Sequence, residues 1–252
     1  MLFKRFNNHD ICIVSGCDHI RFNSFINHRL FAEENGAAYS WSFMVKRLGS
    51  NPYLQKINAI QNILSRYKAI FWLDDDAYFT DFNWRLSQEL AKYPKVDLVI
   101  CKSPLNEGRW TWISSGQFFL RNTERANQFL KAVLEVPPDL VRDWWNEEKF
   151  GLYTNGDQDS MVYVLATDKR FREGKFFVRL DYSAFNSREF HYKSHLNEHH
   201  LLHLASNIIS KKQLLKQFIQ RIGVNQYLVP DEILARYDLS SYAEMDYLGA
   251  DH

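Results

Sequence analysis

The chain has 252 residues, of which 46% are hydrophobic, 15% aromatic and 24% charged, and 31 Lys and Arg offset 30 Asp and Glu to leave a net charge of +1. That length suits one large α/β domain burying roughly 70–75% of its unfolded surface, and ten glycines with six prolines exclude collagen-like and low-complexity chains. The balanced charge argues against nucleic acid as a partner, because gripping phosphates needs a basic excess or stripe.

Three cysteines, Cys12, Cys17 and Cys101, make neither a disulfide framework nor a complete zinc set. The basic start Met1–Asn8 lacks the apolar stretch of a signal peptide. No window approaches the roughly 18 apolar residues of a membrane span. The expectation is a soluble cytoplasmic protein, with peripheral membrane contact left open.

Asp10–Ser15 reads as a strand ending at Gly16. Ile20, Phe25, Ile26, Leu30 and Phe31 give helical spacing up to the stop signal Asn35-Gly36. Ala37–Phe43 reads as a second strand. Asn51-Pro52 opens a helix, with Asn as the cap and Pro at the first position, and Ile57, Ile60, Ile63 and Leu64 form its apolar face. The run Ala69–Leu73 fits a strand covered on both faces. A helix near Trp84–Ala91 and a strand at Asp97–Cys101 follow, so the first hundred residues alternate as in a parallel sheet between helices. Beyond them come a strand at Ile113–Arg121, a helix at Thr123–Glu135, a break at Pro137-Pro138, and helices at Asp157–Thr167 and Ile209–Ile222. No repeat or Gly/Ser linker divides the chain, which is read as one domain over 1–229 with a C-terminal extension over 230–252.

Asp74-Asp75-Asp76 directly follows the apolar run Phe71-Trp72-Leu73. Ligands of open α/β sheets bind beyond the carboxyl ends of the strands, and this is such an end. In an extended segment Asp74 and Asp76 point to one side and Asp75 to the other. Two carboxylates on one side make a hard oxygen site for Mg²⁺ or Mn²⁺, the ions that accompany a substrate diphosphate. The plainer alternative is a solvated acidic turn.

Phe71-Trp-Leu-Asp-Asp-Asp-Ala77 resembles the Trp-aliphatic-Asp-x-Asp-Ala motif of GT-A glycosyltransferases, and most nearly that of family 34, the retaining α-galactosyl-, xylosyl- and mannosyltransferases. Five further stretches resemble that family in the same order: Asn27–Ala32 with Asn35-Gly36, Lys56, Ser115–Asn122, Asp157–Ser160 and Leu202–Ala205. Asp159, Ser206, Phe31 and Glu34 depart from its pattern.

The resemblance implies a GT-A (Rossmann-like) α/β fold with a mixed central sheet and helices on both faces. It also implies a UDP- or GDP-sugar donor, a glycan or lipid-linked glycan acceptor, and Mn²⁺ or Mg²⁺ held by Asp74, Asp76 and His203. Val14, Ser15 and Gly16 would face the base and ribose, and Asp75 would join the donor site. Lys56 would approach the diphosphate, and Ser115 and Gly116 would lie beside the sugar. Asp157 and Gln158 would stand near the reacting carbon, with Asp159 as an extra acid.

Each role has a plainer counterpart. Val14–Gly16 could be ordinary core, Lys56 a solvated helix charge, Gln117 a solvent-facing strand residue, and Asp157–Asp159 an acid-decorated helix start. His195, His199 and His203 fall at i, i+4, i+8, a zinc-site spacing if that segment were helical. The basic amphipathic stretch 210–222 could touch an anionic membrane or pack its apolar face in the core. The rival functions are a nucleotidyl- or phosphoryltransferase, for which no Gly-rich loop is found, and a non-catalytic carbohydrate-binding protein.

Overall fold

The computed structural model describes residues 10–44, 54–173 and 175–240. Asn51-Pro52, read above as a helix start, lies outside the described residues. The elements run β1 (Ile11–Cys17), α1 (Ser24–Asn35), β2 (Ala38–Phe43), α2 (Gln55–Leu64), β3 (Ala69–Asp74), β4 (Ala77–Phe79), α3 (Leu86–Ala91), β5 (Leu98–Cys101) and β6 (Gln117–Arg121). They continue as α4 (Glu124–Glu135), α5 (Pro138–Trp144), α6 (Glu147–Phe150), α7 (Asp157–Thr167), α8 (Lys169–Arg172), β7 (Phe177–Leu180), β8 (Leu201–His203), α9 (Lys211–Ile222) and α10 (Asp231–Arg236).

Six strands form the central sheet in the order β2-β1-β3-β6-β5-β7. β1 pairs in parallel with β2 and β3, β6 runs antiparallel to β3 and β5, and β7 is parallel to β5. This is the mixed α/β sheet expected from the sequence. Side chains alternate across it, as a period of two requires. Ile11, Ile13, Phe71, Leu73 and Phe119 pack on one face with Leu30 and Phe31 of α1. Cys12, Val14, Ile70, Trp72 and Phe118 pack on the other with α2, α4 and α7. β3 is central, with β1 and β6 on its edges and helices over both of its faces, α1 on one and α2, α4 and α7 on the other, which is why Ala69–Leu73 is apolar at every position. The three cysteines are free and buried.

A second, two-stranded sheet pairs β4 with β8 antiparallel, Ala77 opposite His203. Three-residue strands are too short for a legible period, and β4 is not separable in the sequence from the acids before it. α9 turns Leu214, Leu215 and Phe218 onto Tyr78, Leu202 and Leu204, so its apolar face lies in the core. α10 sends Ile233 and Leu234 into the same cluster as β1 and α1.

Several boundaries differ from the sequence reading. α1 begins at Ser24, and Ile20 is 53% exposed in the preceding loop. The strand expected at Ile113–Arg121 is confined to β6, because residues 113–116 bend past the acids. Gln117 does not face solvent; it is fully buried. Pro137-Pro138 ends α4, yet Pro138 also opens α5, at a position where its missing N–H is no loss. Among the described residues no helix is long and apolar enough to cross a membrane.

Candidate active site

β3 ends at Asp74, and Asp75-Asp76 form a turn into β4 rather than the extended continuation expected. Three backbone contacts fix that turn: Asp74 N–H donates to the Gly116 carbonyl (2.8 Å), Leu204 N–H to the Asp76 carbonyl (3.0 Å), and Ser24 Oγ to the Asp75 carbonyl (2.6 Å). The β4–β8 register sets His203 opposite the residue after Asp76. One ligand atom from each of Asp74, Asp76 and His203 therefore falls within 4.8 Å of the other two. Among the described residues no other group of His, Cys, Asp or Glu meets in this way. The zinc-site spacing of His195, His199 and His203 does not form, since a short 3₁₀ turn at Leu196–Glu198 replaces a continuous helix and His195 is exposed.

His203 is oriented by its neighbours. Asn186 donates its side-chain NH₂ to the Lys102 carbonyl (2.9 Å), which turns its oxygen toward His203 Nδ1 (3.1 Å) and Arg188 Nη1 (2.7 Å). With Nδ1–H donating there, Nε2 presents its lone pair toward the acids. Burial, with Arg188 beside it, lowers the His203 pKa against the pull of Asp76, so the neutral form is favoured. Gly116 makes room for the ring: a Cβ there would lie 2.4 Å from His203 Cε1.

The donor set fits a hard divalent ion. Asp76 is buried, and its Oδ1 lies 3.4 Å from His203 Nε2 without hydrogen-bond alignment, so that oxygen has no hydrogen-bond partner. A buried, unpartnered carboxylate oxygen facing an imidazole lone pair is a costly arrangement that a cation between them would relieve. Burial raises Asp75 to about 7, with Asp76 and Asp74 adding repulsion. For Asp76 burial acts the same way, but Lys211 and His203 outweigh it and hold the carboxyl well below the usual range.

Lys56, half expected to be solvated, is buried at the centre of the site. Its Nζ lies 3.0 Å from Asp74 Oδ1 and 3.1 Å from Asp157 Oδ2, and it donates to the Ser115 carbonyl at 3.0 Å. Burial would lower its pKa, but Asp157 and Asp74 outweigh that and keep it charged. Lys56 thus brings Asp74, Ser115 and Asp157 together. Gln158 accepts from Ser115 N–H (3.2 Å) and lines a cavity of about 280 Å³ with Arg188, His203 and Lys211. Asp159 turns back onto its own helix start and accepts from Thr154 and Gly156 N–H. In β1, Val14 is fully buried in the apolar core, Ser15 Oγ bonds Tyr39 Oη (2.8 Å), and Gly16 lets β2 approach, since a Cβ there would lie 2.4 Å from the Ser42 carbonyl oxygen.

Asn186 and Arg188 are absent from the sequence reading, and Lys211 enters it only as part of the basic stretch 210–222, not as a site residue. Lys211 pairs with Asp76 Oδ2. It begins α9, where a cation opposes the helix dipole, and a lysine in that unfavourable place was the available signal. Asn186 and Arg188 lie in an irregular stretch with no pattern to mark them.

A sequence model described as nucleotide-diphospho-sugar transferase matches residues 14–215. Among similar curated proteins, probable xyloglucan 6-xylosyltransferase 5 of Arabidopsis thaliana is 27% identical over 181 residues, 66% of this chain and 38% of that protein. Galactomannan galactosyltransferase 1 of Cyamopsis tetragonoloba is 30% identical over 126 residues, 45% and 28% of the two chains. The chain spans about two fifths of the length of the first curated relatives it matches. A solved glycosyltransferase involved in glycosylation of the major capsid of PBCV-1 shares the fold, with TM-score 0.58 and 15% identity, covering 81% of this chain and 97% of that one.

Proposed function

This chain belongs to the nucleotide-diphospho-sugar transferase family, and we propose that it moves a hexose or pentose from a UDP- or GDP-sugar to a hydroxyl of a glycan or lipid-linked glycan, with retention of configuration. Asp74, Asp76 and His203 would hold Mn²⁺ or Mg²⁺, with Asp75 and the carboxyl end of β1 (Val14–Gly16) toward the nucleotide. The observation that carries the reading is the unpartnered Asp76 Oδ1 set against His203 Nε2 by the β4–β8 register. When bound, the ion supplies positive charge to the departing diphosphate.

The chain's own residues would do the rest. Lys211 exchanges Asp76 for a phosphate oxygen and adds a charge-assisted hydrogen bond to the leaving group. Lys56 holds Asp74 and Asp157 in fixed relation. Ser115 and Gly116 form the wall beside the sugar. Asp157 is already engaged by Lys56, whereas the Gln158 amide lines the cavity. That supports a retaining reaction in which the departing phosphate takes the acceptor's proton and Gln158 stabilises the cationic sugar, as oriented dipoles do at developing charge.

The test is nucleoside diphosphate release from a panel of UDP- and GDP-sugars with gluco- and manno-oligosaccharides as acceptors. Turnover should vanish in EDTA and return with added Mn²⁺, and Asp76→Asn should lower it about 10³-fold. Metal-independent turnover, or an Asp76→Asn enzyme near full activity, overturns the reading.

A further inference from the structure

A hairpin over residues 103–111 overhangs the cavity that Gln158 and His203 line. Asn106 and Arg109 exchange both backbone hydrogen bonds (2.8 Å each) around Glu107 and Gly108, whose φ values of 50° and 74° make the tight turn favoured in two-residue hairpins. Its tip is fastened: Glu107 accepts from Ser206 Oγ and Asn207 N–H (2.7 Å each), and Asn106 Nδ2 donates to the Ala205 carbonyl (2.7 Å). Its base is fastened too. Trp110 accepts through its carbonyl from Leu152 N–H (2.8 Å), and Gly151 packs so closely there that a Cβ would lie 2.2 Å from that oxygen.

The backbone of Trp110 is therefore tied down on both sides, yet the residue lines the cavity and is 37% exposed. Trp72 and Trp84 are in the core, and Trp41, Trp112, Trp144 and Trp145 each rest on another ring. Among the described residues Trp110 has no ring partner. A partly exposed aromatic side chain on a tethered backbone, beside a cavity with both polar and apolar lining, matches a ligand with an apolar face and a polar edge. A pyranose ring has that shape, with C–H groups on its face and hydroxyls around its rim. Ser103, Asn106 and Arg109 stand near enough to line the same cavity and meet the hydroxyls.

We propose that Trp110 is the stacking platform of the acceptor site, holding one pyranose ring of a glycan so that a neighbouring hydroxyl is presented toward Gln158. This rests on the transfer reading above. It assigns the glycan acceptor named there a contact on one residue of this chain, which a small alcohol or a protein side chain, having no broad face to stack, would not use.

The test uses the full chain with Mg²⁺ and UDP, since paramagnetic Mn²⁺ would quench the NMR readout. Binding of a gluco-oligosaccharide and of a manno-oligosaccharide is followed by saturation-transfer NMR, and UDP binding by calorimetry on the same preparations. Wild type should bind at least one oligosaccharide. Trp110→Ala should weaken that binding about tenfold, as the loss of one stacked ring would, and Trp110→Phe should recover most of it, with UDP affinity unchanged in both. Equal glycan affinity in wild type and Trp110→Ala, glycan binding by neither oligosaccharide in a protein that holds UDP, or a loss that falls on UDP instead would overturn the proposal. With GDP titrated in the same way, Trp110-dependent glycan binding in a protein that binds neither UDP nor GDP would keep the site and overturn the transfer reading.

Discussion

Asp74 reaches the site at the end of a strand whose five preceding residues are all fully buried, while His203 reaches it on a three-residue strand held in place by polar side chains. The N-terminal part, β1 to β3 with α1 and α2, is positioned by burying apolar side chains on both faces of a sheet. The later part is positioned one group at a time: Asn186 on the Lys102 carbonyl, Arg188 on Asn186 and on the His203 carbonyl (3.2 Å), Lys211 on Asp76. Apolar burial is distributed and tolerates small changes, whereas a polar chain fails at any link. The two parts of the site should therefore break in different ways.

Acid should attack the first part. His28 of α1 is fully buried, with Nε2 at 2.7 Å from the Ala77 carbonyl and Nδ1 without a partner. Burial pushes its pKa down to about 4 against the raising effect of that hydrogen bond. Because the folded value lies below the unfolded value of about 6.5, the neutral His28 contributes stability in full above pH 6.5. That contribution is lost as pH falls toward 4, by about 3 kcal/mol. Urea unfolding at pH 7 and at pH 4.5 should record the drop. His28→Gln keeps a donor for Ala77 and cannot titrate, so its unfolding free energy should fall less over the same interval. An identical drop in the variant would place the acid sensitivity elsewhere.

A single link should break the second part. Asn186→Ala removes the acceptor that sets the His203 tautomer, and Mn²⁺ affinity should fall about 10- to 100-fold with the fold intact. Asn186→Asp retains the acceptor and should recover most of the affinity. Gly116→Ala approaches the same ring from the other side, where its Cβ would lie 2.4 Å from Cε1, and should weaken Mn²⁺ comparably although Asn186 is untouched. Calorimetric Mn²⁺ titration reads all three. Unchanged affinity in Asn186→Ala and Gly116→Ala would remove His203 from the metal site.

The same contrast decides what could be read from the sequence. The strand end at Asp74–Asp76 was legible because the apolar run before it has a physical cause, burial under helices on both faces of the sheet, that leaves a pattern. His203 was legible only through its resemblance to a family motif, since a three-residue strand has no period. Its partner Asn186 carries no pattern at all. The extended geometry expected for the three acids was wrong in detail, because a turn follows Asp74. Asp74 and Asp76 nevertheless end near one another because the β4–β8 pairing fixes where Asp76 stands. Gln117 was read as a solvent-facing strand residue, but β6 packs side chains on both faces, Phe119 on one and Phe118 and Leu120 on the other, and Gln117 is fully buried. Lys56 was read either as a diphosphate neighbour or as a solvated helix charge, and the structure buries it between two carboxylates that arrive from β3 and α7.

Lys211 gives the smallest effect and the sharpest one, because two measurements should move in opposite directions. In the proposed metal site its ammonium would compete for Asp76, the carboxylate whose Oδ2 it now pairs with, and its side chain remains 43% exposed. In Lys211→Ala that competition is gone, so Mn²⁺ alone should bind several-fold more tightly than to wild type. With Mn²⁺ saturating, UDP should bind about tenfold more weakly, having lost one charge-assisted hydrogen bond. Lys211→Arg keeps the charge and should follow wild type in both titrations. A variant in which Mn²⁺ and UDP affinities fall together would make Lys211 a strut for Asp76 rather than a phosphate ligand in waiting. A variant in which neither moves would leave it a surface charge at the start of α9.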